Sequence, residues 1–171
     1  MEEGRDLLAE IATAEYDAAD KPFDFVESDV ETALICEGNE AVREKIMRAL
    51  ENMGYHTTKV TTALEALKAM RFHLFDIVVI NERFDGAEPD KNDVLLYLEG
   101  LAMATRRRIF VALLTERYRT MDNMAAFHRS VNAVVNLKNI DDVEKILRAA
   151  IAENQAFYRV MRETLKTLGR L

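Results

Sequence analysis

One cysteine, two prolines, six glycines and no tryptophan are all that this 171-residue chain holds of those residues. A lone cysteine, Cys36, excludes an internal disulfide. It lies in the apolar run 33–36, where a small buried side chain is the expected role rather than a nucleophile. Three histidines, His56, His73 and His128, and one cysteine are too scattered for a zinc site, so no metal and no cofactor are expected. The scarcity of proline and glycine predicts a chain rich in regular structure. Long apolar runs are also missing. Stretches such as 109–114 are far too short to span a bilayer, which takes about 20 residues. The acidic N-terminus has no basic region followed by an apolar block, so no secretory signal is expected. These absences together point to a reducing, cytoplasmic setting with no membrane partner.

The net charge is −7, and it is unevenly spread. Residues 1–30 hold ten acids and two bases, so this N-terminal arm is acidic while residues 31–171 are close to neutral. Such an arm reads as a solvated tail or an interaction segment. An acidic total argues against nucleic acid as a partner. The one basic cluster, ATRRRIF, reads as a loop leading into a strand, either solvated or making a protein contact.

From residue 32 onward apolar runs alternate with amphipathic stretches. Residues 32–36, 56–60, 76–80, 108–114 and 133–135 read as strands. Asn39 caps a helix with Val42, Ile46, Ala49, Leu50 and Met53 on its inner side, and Gly54 ends it. Further helices are expected over 62–70, 92–101 and 121–130, and Asn139 is expected to cap a long final one. Five strands interleaved with five helices predict an α/β fold, a three-layer doubly wound parallel sheet. Functional groups in such sheets gather outside the carboxyl ends of the strands. Those ends carry Glu37, Asn81, Thr115 and Asn136. The loop after the first strand, EGNEAVRE, has one glycine and no phosphate-binding pattern, and neither a GxSxG elbow nor a GKS or GKT motif occurs.

Four fragments resemble the receiver domain of two-component response regulators: TALICEGNEAVREKIMRALENMGYHTTKVTTALEALKAM, FDIVVINERF, RIFVALLTE and NAVVNLKNIDDVEKIL. The resemblance covers roughly residues 31–152. It implies a flavodoxin-like sheet of order 2-1-3-4-5 and bacterial two-component signal transduction. Receivers bind magnesium with two acids after the first strand and phosphorylate an Asp at the end of the third. A hydroxyl ends their fourth strand and a Lys their fifth. The carboxylate attacks a phosphoryl donor while metal and Lys neutralise the developing charge.

Here Glu37 keeps the first acid, but Gly38 replaces the second and Asn81 replaces the phosphorylated Asp. Thr115 keeps the hydroxyl. Asn136 replaces the Lys, and Ala133 falls at the aromatic switch position. The resemblance therefore implies a degenerate, non-catalytic pseudo-receiver that is not an enzyme and acts through protein–protein contacts. The strand-end Asn and Thr residues are expected to cap turns and helices, Asn136 above all; the alternative for Asn81 is a hydrogen bond to Thr115 that holds the loops in one state. Two other readings remain: a small anion or metal bound by Glu37, Glu40 or Glu82, or an atypical receiver phosphorylated on Asp76 or Asp85.

The stretch 140–168 holds neither glycine nor proline, and as a helix it extends about 43 Å. That exceeds what covering the sheet needs, so residues 153–171 are expected to project. Val143, Leu147, Ala150, Asn154, Phe157, Met161, Thr164 and Leu168 form a heptad-like seam that Val160 and Leu165 widen. Its second half, Phe157, Val160, Met161, Leu165 and Leu168, is the expected interface. A two-fold homodimer is one solution. Packing on the N-terminal arm, where Leu7, Leu8, Ile11 and Ala14 also fall at helical spacing, is the other.

Overall fold

Aliphatic and β-branched runs in this chain form strands because both faces of the sheet are covered, which favours continuous apolar sequence. The computed structural model describes residues 30–170. The acidic arm, with Leu7, Leu8, Ile11 and Ala14, lies outside the described residues. In chain order the elements are β1 (Thr32–Cys36), α1 (Glu40–Asn52), β2 (His56–Val60), α2 (Ala63–Phe72), β3 (Ile77–Asn81), α3 (Asp93–Gly100), β4 (Phe110–Thr115), α4 (Asn123–His128), β5 (Ala133–Asn136) and α5 (Val143–Thr167). The strands form one parallel sheet in the order β2-β1-β3-β4-β5, the doubly wound arrangement expected from the sequence.

Alternate strand residues feed two cores, as the two-residue period of a strand requires. Leu34, Val78, Ile80, Val111 and Leu113 pack with Leu67 of α2 and Leu98 of α3. Ile35, Ile77, Val79, Ala112 and Leu114 pack with Ile46 and Leu50 of α1 and Leu147 of α5. Each fully buried aliphatic side chain contributes about 1.5–3 kcal/mol. β2 is one of the two edge strands, and its sequence HTTKV is correspondingly polar and partly exposed.

The caps follow the sequence. The Asn39 side chain accepts from the N–H groups of Ala41 and Val42 at the head of α1. Thr62 and Glu65 form a reciprocal capping box on α2. Asn92 caps α3.

Three local expectations need correction. The loop ATRRRIF contains a helical turn, Met103–Arg106, rather than irregular chain alone. The Arg106 guanidinium ties it down by donating to the carbonyls of Ile109 and Ser130 and to the Asn132 side chain. The fourth helix is shorter than 121–130. Met121 and Ser130 adopt left-handed backbone (φ 59° and 54°), which a helix cannot continue through, and Asp122 supplies the N-cap. The last helix is not capped by Asn139. A tighter 3-10 segment, Leu137–Asp142, comes first, and the Asn139 side chain accepts instead from the Thr120 hydroxyl. The α-helix proper spans 25 residues, about 37 Å.

Candidate functional site

The carboxyl edge of the sheet brings Glu37, Asn81, Thr115 and Asn136 together because β1, β3, β4 and β5 all run the same way and end in near register. Asn81 stands opposite Leu114, and Thr115 opposite Asn136. Glu37 follows β1 and is buried. Asn39, the α1 cap, donates its backbone N–H to one Glu37 oxygen at 2.8 Å. The Asn81 amide donates to the other at 2.8 Å. The Asn81 oxygen in turn accepts from the Arg83 backbone N–H at 2.9 Å. Both oxygens of the one retained acid are thus occupied by N–H donors.

The alternative bond between Asn81 and Thr115 is not made, and both side-chain oxygens accept a backbone N–H two residues on, as turn caps do. The Thr115 hydroxyl donates to a buried carboxylate, Glu82, at 2.7 Å, and accepts from the Arg117 backbone N–H at 2.9 Å. The reason is strand alternation: Asn81 and its neighbour Glu82 fall on opposite faces of the sheet, and Thr115 shares the Glu82 face, so Asn81 is left to Glu37. The second Glu82 oxygen accepts from the Arg117 side chain, which also reaches Asp90. Arg129 closes the network on Asp90. Hydrogen bonds from Arg117, and the charges of both arginines, hold the Asp90 carboxyl below the usual range. The Asn92 amide donates to the carbonyls of Asn81 and Glu82, tying the β3 loop to the head of α3.

Asn136 acts as a turn cap, as its residue type suggests. Its oxygen accepts from the Lys138 N–H, and its amide donates to the carbonyls of Tyr118 and Glu116. Ala133 is buried at the start of β5, paired with Ala112 and facing the core under α1 and α5. Gly38 is exposed with ordinary backbone, and a Cβ there would meet nothing within 4 Å. Neither packing nor backbone demands glycine at that position.

The two remaining candidate phosphoacceptors are engaged elsewhere. Asp76 lies at the amino end of β3, where its carboxylate accepts the Thr32 N–H at 2.7 Å. Asp85, with φ 56°, accepts the Ala63 N–H at the start of α2. Cys36 is buried, and burial pushes its thiol far above the usual range.

The receiver resemblance implies magnesium, and the donor set here does not fit it. Magnesium wants several hard oxygen ligands in an octahedron. The edge offers Glu37, whose oxygens already take two N–H groups, a neutral amide at Asn81 and no side chain at Gly38. Among the described residues no group of three or more His, Cys, Asp or Glu could hold a metal ion. Among the same residues no helix is long and apolar enough to cross a membrane.

The first half of α5 packs on the sheet, as expected, and the expected interface of its second half divides in two. Val143, Leu147, Ala150 and Ile151 are buried core. Beyond them Met161 and Leu165 are half-buried and line a cleft at the amino edge of the sheet. Phe157, Val160 and Leu168 face solvent at 81, 69 and 61 % exposure. Sequence reasoning missed the structural role of Glu82 and the Arg117–Asp90–Arg129 network. The only sequence signal was a glutamate next to the strand-end asparagine.

No protein-family model matches the chain, and neither does any curated protein. Solved structures do. A CheY-like response regulator receiver domain from Methylobacillus flagellatus is 21 % identical over 71 % of this chain and 99 % of its own, with a TM-score of 0.51. A second, from Methanospirillum hungatei, is 19 % identical over 75 % and 98 %, with a TM-score of 0.55. The receiver domain of a Pseudomonas aeruginosa sensor histidine kinase, which has magnesium coordinated in its active-site cleft, is 17 % identical over 72 % and 98 %, with a TM-score of 0.55. The chain therefore has the CheY-like, flavodoxin-like fold of receiver domains, with a long C-terminal helix added to it.

Proposed function

We propose that this chain is a pseudo-receiver: a signalling module that works through protein contacts, independently of aspartyl phosphorylation. One observation carries the reading. The polar groups at the carboxyl edge satisfy one another, Asn81 with Glu37 and Thr115 with Glu82, where an active receiver needs a free carboxylate, a metal and a mobile hydroxyl. An amide neither attacks a phosphoryl group nor attracts a divalent cation. The buried Glu82 carboxyl accepts the Thr115 hydroxyl at 2.7 Å, and in this reading that bond holds the β4 loop in one conformation without a phosphoryl group.

The contact surface in this reading includes the exposed side of α5. Phe157, Val160 and Leu168 form an exposed apolar stripe on one helix, and a second copy of the chain is the occupant we propose. The test of the pseudo-receiver is incubation with a small phosphodonor and magnesium, then measurement of intact mass. The expected mass is unchanged. A stable phosphoryl adduct overturns the reading and returns the chain to the phosphorylated receivers.

A further inference from the structure

A cleft of about 590 Å³ lies at the amino edge of the sheet, opposite the receiver site. The second half of α5 forms one wall. Tyr55, Phe110, Met161 and Leu165 give it an apolar floor, and Arg107, Arg108, Arg162 and Arg170 stand around it. Only two acids, Glu31 and Asp76, line it, and the Asp76 carboxylate is engaged by the Thr32 N–H. The ion pairs within the described domain use other cations: Lys45, Lys91, Arg117, Arg119, Arg129 and Arg148. The cleft thus presents an apolar floor with an excess of positive charge.

We propose that this cleft is the docking site of the chain's own N-terminal segment, bound in cis. The segment matches both features. Leu7, Leu8, Ile11 and Ala14 repeat at helical spacing, and residues 1–30 carry ten acids against two bases. Its attachment point is at the cleft itself, because Glu31, the residue before β1, is part of the lining. The chain between Ala14 and Val30 can extend about 50 Å, more than the whole length of α5, so reach does not limit docking. Covalent attachment gives the segment a millimolar effective concentration, an advantage that neither a second copy nor a separate protein has. Arg107 and Arg108 thereby acquire a role that their sequence context left open, while Arg106 serves the turn itself.

Disulfide trapping in the full chain tests this. Cys36 is buried, so introduced cysteines supply the reactive thiols. In the Ala12→Cys/Gln155→Cys variant, mild oxidation should give a bond within one chain, read as monomer mass without reductant. Adding Arg107→Glu and Arg162→Glu should cut its yield several-fold, with the far-UV circular dichroism unchanged. Adding Asp6→Arg and Glu10→Arg to that variant should restore it. Rising salt should lower the yield in the parent variant, since exposed charge pairs are screened. A bond found only between two chains, no bond at all, or a yield indifferent to the arginine reversals overturns the proposal. None of these outcomes bears on phosphotransfer at the opposite edge.

Discussion

The Asn81 amide donates to the Glu37 carboxylate across 2.8 Å while its oxygen accepts from the Arg83 N–H. An amide can do both, whereas an ionised carboxylate only accepts. In the Asn81→Asp variant a carboxylate faces Glu37 at the same distance, and one member of such a pair has its folded pKa raised. A carboxyl with a raised folded pKa costs stability at pH values above it, and the cost disappears as pH falls below the unfolded value. Asn81→Asp should therefore lower Tm at pH 7–8 and lose the difference toward pH 4. It should also gain no phosphoryl mass from a small donor, because the second metal acid and the Lys are still missing.

Gly38 decides whether magnesium can return. The position is open and its backbone ordinary, so an Asp fits without strain. In the Gly38→Asp/Asn81→Asp double variant the two introduced carboxylates join Glu37 to make three, the donor type that magnesium prefers. Isothermal titration should show magnesium binding in the double variant and none in either single variant. Magnesium should also recover most of the Tm that Asn81→Asp loses.

Glu82 is the buried anchor of the β4 loop. Removing it leaves the Thr115 hydroxyl without its acceptor and Arg117 without its closer partner. Breaking a buried charged network by deleting one side costs about 3–5 kcal/mol. Arg117 is 34 % exposed and keeps Asp90, so a smaller loss, about 2–3 kcal/mol, is expected for Glu82→Ala. Glu82→Gln keeps an acceptor for the hydroxyl and should cost less than half as much. Urea unfolding of the two variants measures both.

Acid should unfold the domain through its carboxylate caps and bridges. Glu65 has its pKa lowered, first by the backbone N–H of Thr61. Asp90 is lowered first by Arg117, and Glu144 first by the Asn52 amide. Each depressed folded pKa contributes stability that is present above the unfolded value, about 4–4.5, and is lost as pH falls through the folded one. Stability should be flat from pH 7 to about pH 5 and then decline. A carbon-detected NMR titration of Glu65 should give a midpoint below 4.5. A midpoint at or above that value removes the capping box as a contributor.

The architecture was legible because it rests on long apolar runs and on cap residues whose chemistry is local. Ile77–Asn81 and Phe110–Thr115 declare themselves as buried strands, and Asn39, Thr62 and Asn92 as helix starts. The strand-end residues were legible as positions, but their partners were not. Whether Asn81 meets Thr115 or Glu37 depends on which face of the sheet each side chain takes, and Glu82 wins the hydroxyl because it is one residue out of phase with Asn81. The left-handed residues Met121 and Ser130 carry no composition signal, so the fourth helix is shorter than its residue types suggest. The cleft at the amino edge is assembled from α5, the turn at 103–106, the starts of β3 and β4 and the residues just before β1 and β2, and no single segment of sequence contains it.

The two sides of α5 make separable predictions about assembly. Ile151 is the last buried residue of the helix, so the core does not depend on the turns C-terminal to it. Phe157, Val160 and Leu168 lie on the exposed side, with the Phe157 ring edge-on to Tyr158 at 5.0 Å, while Met161 and Leu165 turn toward the cleft. If the exposed side joins two copies, Phe157→Glu/Val160→Glu should convert a dimer to a monomer in light scattering, with little change in Tm at low concentration. Met161→Ala/Leu165→Ala should leave the dimer intact, because those side chains face the cleft. Removing residues 153–171 should give a folded monomer. Equal masses for the full chain and the truncated one would leave the exposed stripe for a different protein, since a homodimer built on it requires the two to differ.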